Sequence, residues 1–211
     1  GDSPLTAAYY RPTQKELWLG SQRNGAFRLR AEEGSLRLLD SYNSKISKLK
    51  TDQINTIFVD PFGNTWIGTN DGIFFGKDNK WDLEERYFNF TKIGIDFNNR
   101  IWLLADDLLG YMNRKDVWTP VDMPEGALDG PIIDFTFDPE GFLWVVTEIV
   151  ARIDLESEDY TIYGPAQYYT SQFANQIESD LDGAIWVGTE DKGLFLIESA
   201  TAMTVNVVLE K

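Results

Sequence analysis

The sequence predicts an all-β fold, a five-bladed β-propeller of four-stranded antiparallel blades, with part of a larger propeller as the alternative. Three observations predict it. A tryptophan motif recurs five times, its spacing suits one blade per recurrence, and a tight-turn signature precedes four of the five copies at a fixed offset.

The motif is apolar-Trp-apolar, usually followed by Gly-Thr or Gly-Ser. It reads Leu17-Trp18-Leu19-Gly20-Ser21, Thr65-Trp66-Ile67-Gly68-Thr69, Ile101-Trp102-Leu103-Leu104-Ala105, Leu143-Trp144-Val145-Val146-Thr147 and Ile185-Trp186-Val187-Gly188-Thr189. Successive tryptophans lie 48, 36, 42 and 42 positions apart, close to the length of one four-stranded blade. Six residues before each of the last four stands an Asp, and three before it a Gly or Asn. The pairs are Asp60/Gly63, Asp96/Asn99, Asp138/Gly141 and Asp180/Gly183. Asp at the first position of a turn accepts backbone N–H groups, and Gly or Asn at the fourth tolerates positive φ. These Asp residues are therefore read as hairpin formers.

Each blade follows in order. Strand a is the apolar segment before the turn, as in Ile54–Val59 and Ile132–Phe137, and strand b carries the Trp. Strand c follows a short polar loop, as in Gly72-Ile73-Phe74-Phe75, Gly110-Tyr111-Met112 and Gly193-Leu194-Phe195. Strand d is more polar, as in Ser35–Leu39 and Tyr160–Tyr163, which suits an outer edge. A single domain over 1–211 is expected, with blades near 5–41, 52–86, 88–122, 131–163 and 172–209. The last strand d is read at Thr204–Val208. No strand is then left over for the first sheet, so ring closure is expected from packing between the first and fifth blades. The tryptophans are read as core between blades, because a ligand site rarely recurs in every repeat. Copy one departs from the pattern, with Pro12 and Lys15 for Asp and Gly. Copy four lacks the Gly before strand c.

Composition excludes several function classes. The chain has no His and no Cys, which removes imidazole catalysis, thiolate chemistry, disulfides and most zinc sites. No EF-hand spacing is present, and no cofactor or metal is expected. A formal net charge of −15 repels phosphate, so nucleic acid and anionic membranes are poor partners. No apolar run is long enough to span a bilayer, so no membrane insertion of this segment is expected.

The stretch Asp-x-x-Gly-x-x-Trp-Ile-Gly-Thr-x-x-Gly at 60–72, and its echo at 180–193, resembles the two-component regulator propeller repeat. The resemblance covers five tandem units. It implies an extracytoplasmic (periplasmic or secreted) sensor propeller, such as those of bacterial hybrid histidine kinases that respond to polysaccharide fragments. On that resemblance the chain is either part of a larger sensor protein or a stand-alone protein that uses the same blade; an incomplete array would instead call for further blades or an oligomer. Sialidase-type Asp boxes differ, because they place Asp two residues before Gly, whereas here the recurrent Asp stands three before it.

Function in propellers gathers on the face shared by the b–c and d–a loops. The b–c loops are acidic, with Asp71, Asp106, Asp107, Glu148, Glu190 and Asp191. Among d–a loops, Gly164–Gln172 carries Tyr168, Tyr169 and Gln172, and flat aromatic faces with amides suit sugars or peptides. The 42–51 connection, with Lys45, Lys48 and Lys50, is the main basic spot. The preferred reading is a non-catalytic ligand-binding or sensing propeller for a glycan, peptide or partner protein. A carboxylate-based glycoside hydrolase is the alternative, with Asp134 as the one carboxylate placed near the channel. A structural interaction module is the third.

Overall fold

The hairpin between strands a and b shows why this sequence folds as it does. In the computed structural model, Gly63 N–H donates to the Asp60 carbonyl, and Asn99, Gly141 and Gly183 repeat that bond onto Asp96, Asp138 and Asp180. Each residue at that fourth position has positive φ. One carboxylate oxygen of each Asp accepts the N–H four residues on, at Asn64, Arg100, Phe142 and Ala184. The other accepts the indole Nε1–H of the blade's Trp, at 3.2, 2.9, 2.8 and 3.0 Å for Trp66, Trp102, Trp144 and Trp186. One side chain therefore shapes the turn and satisfies the central tryptophan. The sequence pattern signalled the first role and not the second. Copy one keeps the turn without the Asp: Lys15 N–H donates to the Pro12 carbonyl, with Lys15 at φ 52°.

The structure describes residues 2–45, 47, 49–77, 80–84, 88–112, 118–164, 173–197 and 204–207. All regular elements are strands. They are β1 (Leu5–Arg11), β2 (Glu16–Ser21), β3 (Ala26–Glu32), β4 (Ser35–Tyr42), β5 (Ile54–Val59), β6 (Thr65–Thr69), β7 (Gly72–Lys77), β8 (Lys80–Glu84), β9 (Phe90–Ile95) and β10 (Ile101–Ala105). The second half adds β11 (Leu108–Met112), β12 (Trp118–Pro120), β13 (Asp134–Phe137), β14 (Leu143–Val146), β15 (Val150–Ile153), β16 (Tyr160–Tyr163), β17 (Ala174–Ser179), β18 (Ile185–Thr189), β19 (Gly193–Ile197) and β20 (Thr204–Val207). Each run of four consecutive strands forms one antiparallel sheet. The architecture is a five-bladed β-propeller of four-stranded blades.

The Gly of the Trp-x-Gly-Thr motif has a structural cause. In the blades that carry it, the register of strand a shifts just before the residue opposite that Gly. The pairs are Ala7 with Gly20, Thr56 with Gly68 and Gln176 with Gly188. A Cβ at Gly68 would meet the Thr56 methyl at 2.6 Å and the Phe90 carbonyl oxygen at 3.0 Å. At Gly68 the methyl of the bulged strand and a carbonyl of the next blade leave no room for a side chain. Blade four, with Val146 there, pairs it to Asp134 without a shift.

The chain divides into two compact units, 1–93 and 94–211. In the first, the Trp18 face of blade one packs with Tyr42 against Ile54, Ile57, Ile67 and Phe74 of blade two. In the second, Trp102 and Leu104 pack against Phe135, Leu143 and Val145, and Trp144 packs against Ile177, Ile185 and Val187. Each of these tryptophans thus covers the next blade, and burying such a ring contributes at least about 1.5–3 kcal/mol. Polar ties run alongside. Thr6 Oγ1 donates to the Ile54 carbonyl, Tyr9 Oη to that of Val59 at 3.0 Å, and Asn55 Nδ2 to that of Phe90 at 3.2 Å.

Asp134 belongs with these ties. It is buried, and its Oδ2 accepts the Ile177 N–H of the following blade at 2.9 Å. The carboxylate that sequence reading placed near the channel ties strand a of blade four to strand a of blade five.

Candidate functional site

The loops at the other end of the blades are built by the motif's hydroxyl. Thr69 Oγ1 accepts the Asp71 N–H at 3.1 Å and donates to the Gly72 carbonyl at 2.7 Å. Ser21 and Thr189 close their b–c turns in the same way onto Gly25 and Gly193. Blade four has no Gly there, and its turn is one residue tighter in register: Trp144 pairs with Arg152 eight places on, against nine from Trp66 to Phe75. Thr147 N–H donates to the Ile149 carbonyl at 2.8 Å, and β15 begins at Val150. Glu148 is left exposed at the tip, its N–H directed to the Asp129 carbonyl at 3.4 Å. The connection entering β13 therefore meets the shortened turn. In blade five, Glu190 N–H donates to the Phe173 carbonyl at 3.1 Å, which ties the b–c turn to the chain entering β17.

These connections enclose a cleft of about 570 Å³ in the second unit. Asp129, Glu148 and Glu190 bring three carboxylates to it, and Ile133 and Phe173 bring apolar surface that is 45% and 57% exposed. Asn175 adds an amide. Such a site offers hydrogen-bond acceptors, negative charge and an apolar contact together. Among the described residues, no group of three or more acidic side chains is arranged to hold a metal ion. The chemistry on offer is recognition of hydroxyl, amide or cationic groups beside an apolar face.

The predicted loop residues distribute unevenly. Glu148 and Glu190 meet at this cleft, whereas Asp106, Asp107 and Asp191 are exposed on b–c turns and do not line it. Asp106 has φ 54°, a turn geometry of its own. Asp71 belongs to the first unit. Tyr168, Tyr169 and Gln172 lie outside the described residues, as does Lys48 of the basic loop. The repeat residues Trp18, Trp66, Trp102 and Trp144 are buried, Trp186 is half-buried, and Asp60, Asp96, Asp138 and Asp180 hold the turns described above.

Asp129, Ile133 and Phe173 escaped the sequence reading. Ile133 was assigned to strand a, but β13 starts one residue later. The Asp129-Gly130-Pro131 run was the available signal, since it marks a loop that ends just before Ile133.

Known structures share this class of fold. The extracellular domain of a hybrid two-component system from B. thetaiotaomicron superposes with a TM-score of 0.75 at 18% identity, over 95% of this chain and 28% of that one. A second such domain from the same organism gives 0.73 at 17%, over 100% and 32%. Virginiamycin B lyase from Staphylococcus aureus gives 0.64 at 14%, over 98% and 85%. The chain thus spans about three-tenths of the length of the two-component domains it matches. At these identities the likeness is one of fold.

The sequence itself goes further at one place. Residues 48–71 match the profile of the two component regulator propeller, so the stretch through β5 and β6 is a repeat of that family. No curated protein matches the chain.

Proposed function

We propose that the chain is a non-catalytic binding or sensing module that holds a glycan, peptide or protein surface in the cleft of the second unit. The observation that carries this reading is the exposure of Ile133 and Phe173 beside three carboxylates in one concavity. Large exposed apolar side chains in a cleft mark contact surfaces. The charge of −15 favours neutral or cationic ligands over anionic ones.

Several points support a non-catalytic role. The chain has no His, whereas a variant of virginiamycin B lyase with one histidine replaced by alanine is described as catalytically inactive. Carboxylate-based glycoside hydrolysis requires two opposed carboxyl groups, and Asp134 is engaged in a blade-to-blade tie. The two-component neighbours are extracellular domains, and an extracytoplasmic location with a signalling role is the matching expectation here.

An array of neutral oligosaccharides and lysine-rich peptides tests the reading. The full chain should bind at least one ligand class, and Ile133→Ala/Phe173→Ala should weaken that signal at least tenfold with an unchanged far-UV spectrum. Absence of binding by the parent chain, or equal binding by the folded variant, would overturn it.

A further inference from the structure

The fourth and first blades share a pair of donors that only the fourth satisfies. In blade four, Arg152 pairs across the sheet with Trp144. Asp138 Oδ2 accepts from both, taking Trp144 Nε1 at 2.8 Å and Arg152 Nε at 3.4 Å. Blade three does the same by another route, with Asp96 Oδ2 accepting from Trp102 Nε1 at 2.9 Å and Arg100 Nε at 2.6 Å. In blade one, Arg28 again pairs across from Trp18. The position of the Asp is taken by Pro12, which has no acceptor to offer. Trp18 Nε1 and Arg28 Nε are both buried, and neither has an acceptor among the described residues.

Glu16 does not replace the missing carboxylate. Its Oε1 takes Arg28 Nη2 at 2.6 Å and Arg30 Nη2 at 3.3 Å, and its Oε2 takes Arg11 Nη1 at 3.5 Å. The Nε side of Arg28 and the indole are left over. Both residues line a cleft of about 430 Å³ in the first unit, at the a–b hairpin end of blades one and two. Arg11 and Lys77 also line it, so three cations face the one lining carboxylate, with Asp40 on Arg28 Nη1 beside them, on a chain whose overall charge is −15. This cleft is separate from the acidic one proposed above and has the opposite charge.

We propose that this cleft binds a carboxylate, which takes the place that an aspartate side chain occupies in the other blades. One oxygen would accept from Trp18 Nε1 and Arg28 Nε, with Arg11 and Lys77 supplying further positive charge. Trp18 is 3% exposed and the Arg28 side chain 32%, and Arg28 Nη1 also reaches Asp40 Oδ2 at 3.3 Å, so the ligand must reach the indole past a guanidinium held on its Nη side by Glu16 and Asp40. The carboxylate belongs either to a small free acid or to an acidic side chain of a peptide, and the chemistry of recognition is the same.

Titration of the full chain followed through the indole N–H resonances tests this. Acetate probes the free acid. An N-acetylated, C-terminally amidated glycine-rich peptide with one Asp probes the side chain, and its Asn counterpart, which has no carboxylate, is the control. The Trp18 indole resonance should shift saturably with acetate or with the Asp peptide. It should not shift with chloride or the Asn peptide. A response to acetate alone assigns a small acid, and a response extending to the peptide assigns an acidic segment. Pro12→Asp should supply the carboxylate internally and abolish the response in a folded chain. Trp18→Phe should weaken binding at least tenfold by calorimetry. No saturable shift in the parent chain, or an equal response in Pro12→Asp, would overturn the proposal.

Discussion

In four of the five blades one aspartate links the a–b turn to the central tryptophan, and its energetic weight follows from burial. Removing Asp138 would leave the Trp144 indole and the Phe142 N–H without their acceptor and Arg152 without its inner partner. Buried unsatisfied donors cost about 1–3 kcal/mol each, so Asp138→Ala should lower stability by about 2–3 kcal/mol in urea unfolding. Pro12→Asp should act the other way, by about 1 kcal/mol after the loss of the proline's restraint on the unfolded chain. Glu16 sets an acid response. Burial pushes its carboxyl up, but the hydrogen bond and charge of Arg28, aided by Arg30 and Arg11, outweigh this and hold it below its usual 4.5. A lowered carboxylate stabilises the fold fully above its unfolded pKa, and that contribution is lost as pH falls through the folded value. Glu16→Gln should therefore cost about 3 kcal/mol at pH 7 and progressively less below about pH 4.5, read from urea midpoints across pH. The Asp and Trp were legible in sequence as a pattern. Their bond was not, because spacing alone does not reveal which way a turn carboxylate points.

At the scale of the element, the glycine two places after Trp66 and after Trp186 stands in two environments that look alike in sequence. A Cβ at Gly68 is blocked by the Thr56 methyl and the Phe90 carbonyl, whereas at Gly188 the nearest atom, Gln176 Cβ, stands at 3.4 Å. Gly68→Ala should cost about 1–3 kcal/mol, and Gly188→Ala should stay within about 0.5 kcal/mol, by thermal or urea unfolding. Identical motif letters thus carry different constraints, set by how closely the next backbone approaches. Strand identity itself was readable from apolar runs and turn residues. The boundary at Ile133 was not, because an exposed Ile beside a buried strand reads as one more strand residue.

Across the whole molecule, periodicity revealed the architecture because every blade meets the same packing problem. The candidate binding cleft left no such trace, since it depends on a shortened turn in blade four, the connection before β13 and a phenylalanine before β17, none of which recurs. Two of the acidic b–c loops bring Glu148 and Glu190 to the candidate cleft, but their apolar companions carry no motif. The first blade shows the converse. Its departure from the repeat was visible as Pro12, while the orphaned donor pair behind it became apparent only once Arg28 was seen across from Trp18. Function on this account lies where copies differ, and the repeated residues maintain the frame. The most direct test is the oligosaccharide and peptide array read in parallel on Phe173→Ala and Asp138→Asn. Phe173→Ala should lose the parent chain's signal at unchanged stability, whereas Asp138→Asn should keep the signal at reduced stability. Loss of binding in folded Asp138→Asn with full binding by Phe173→Ala would contradict this account.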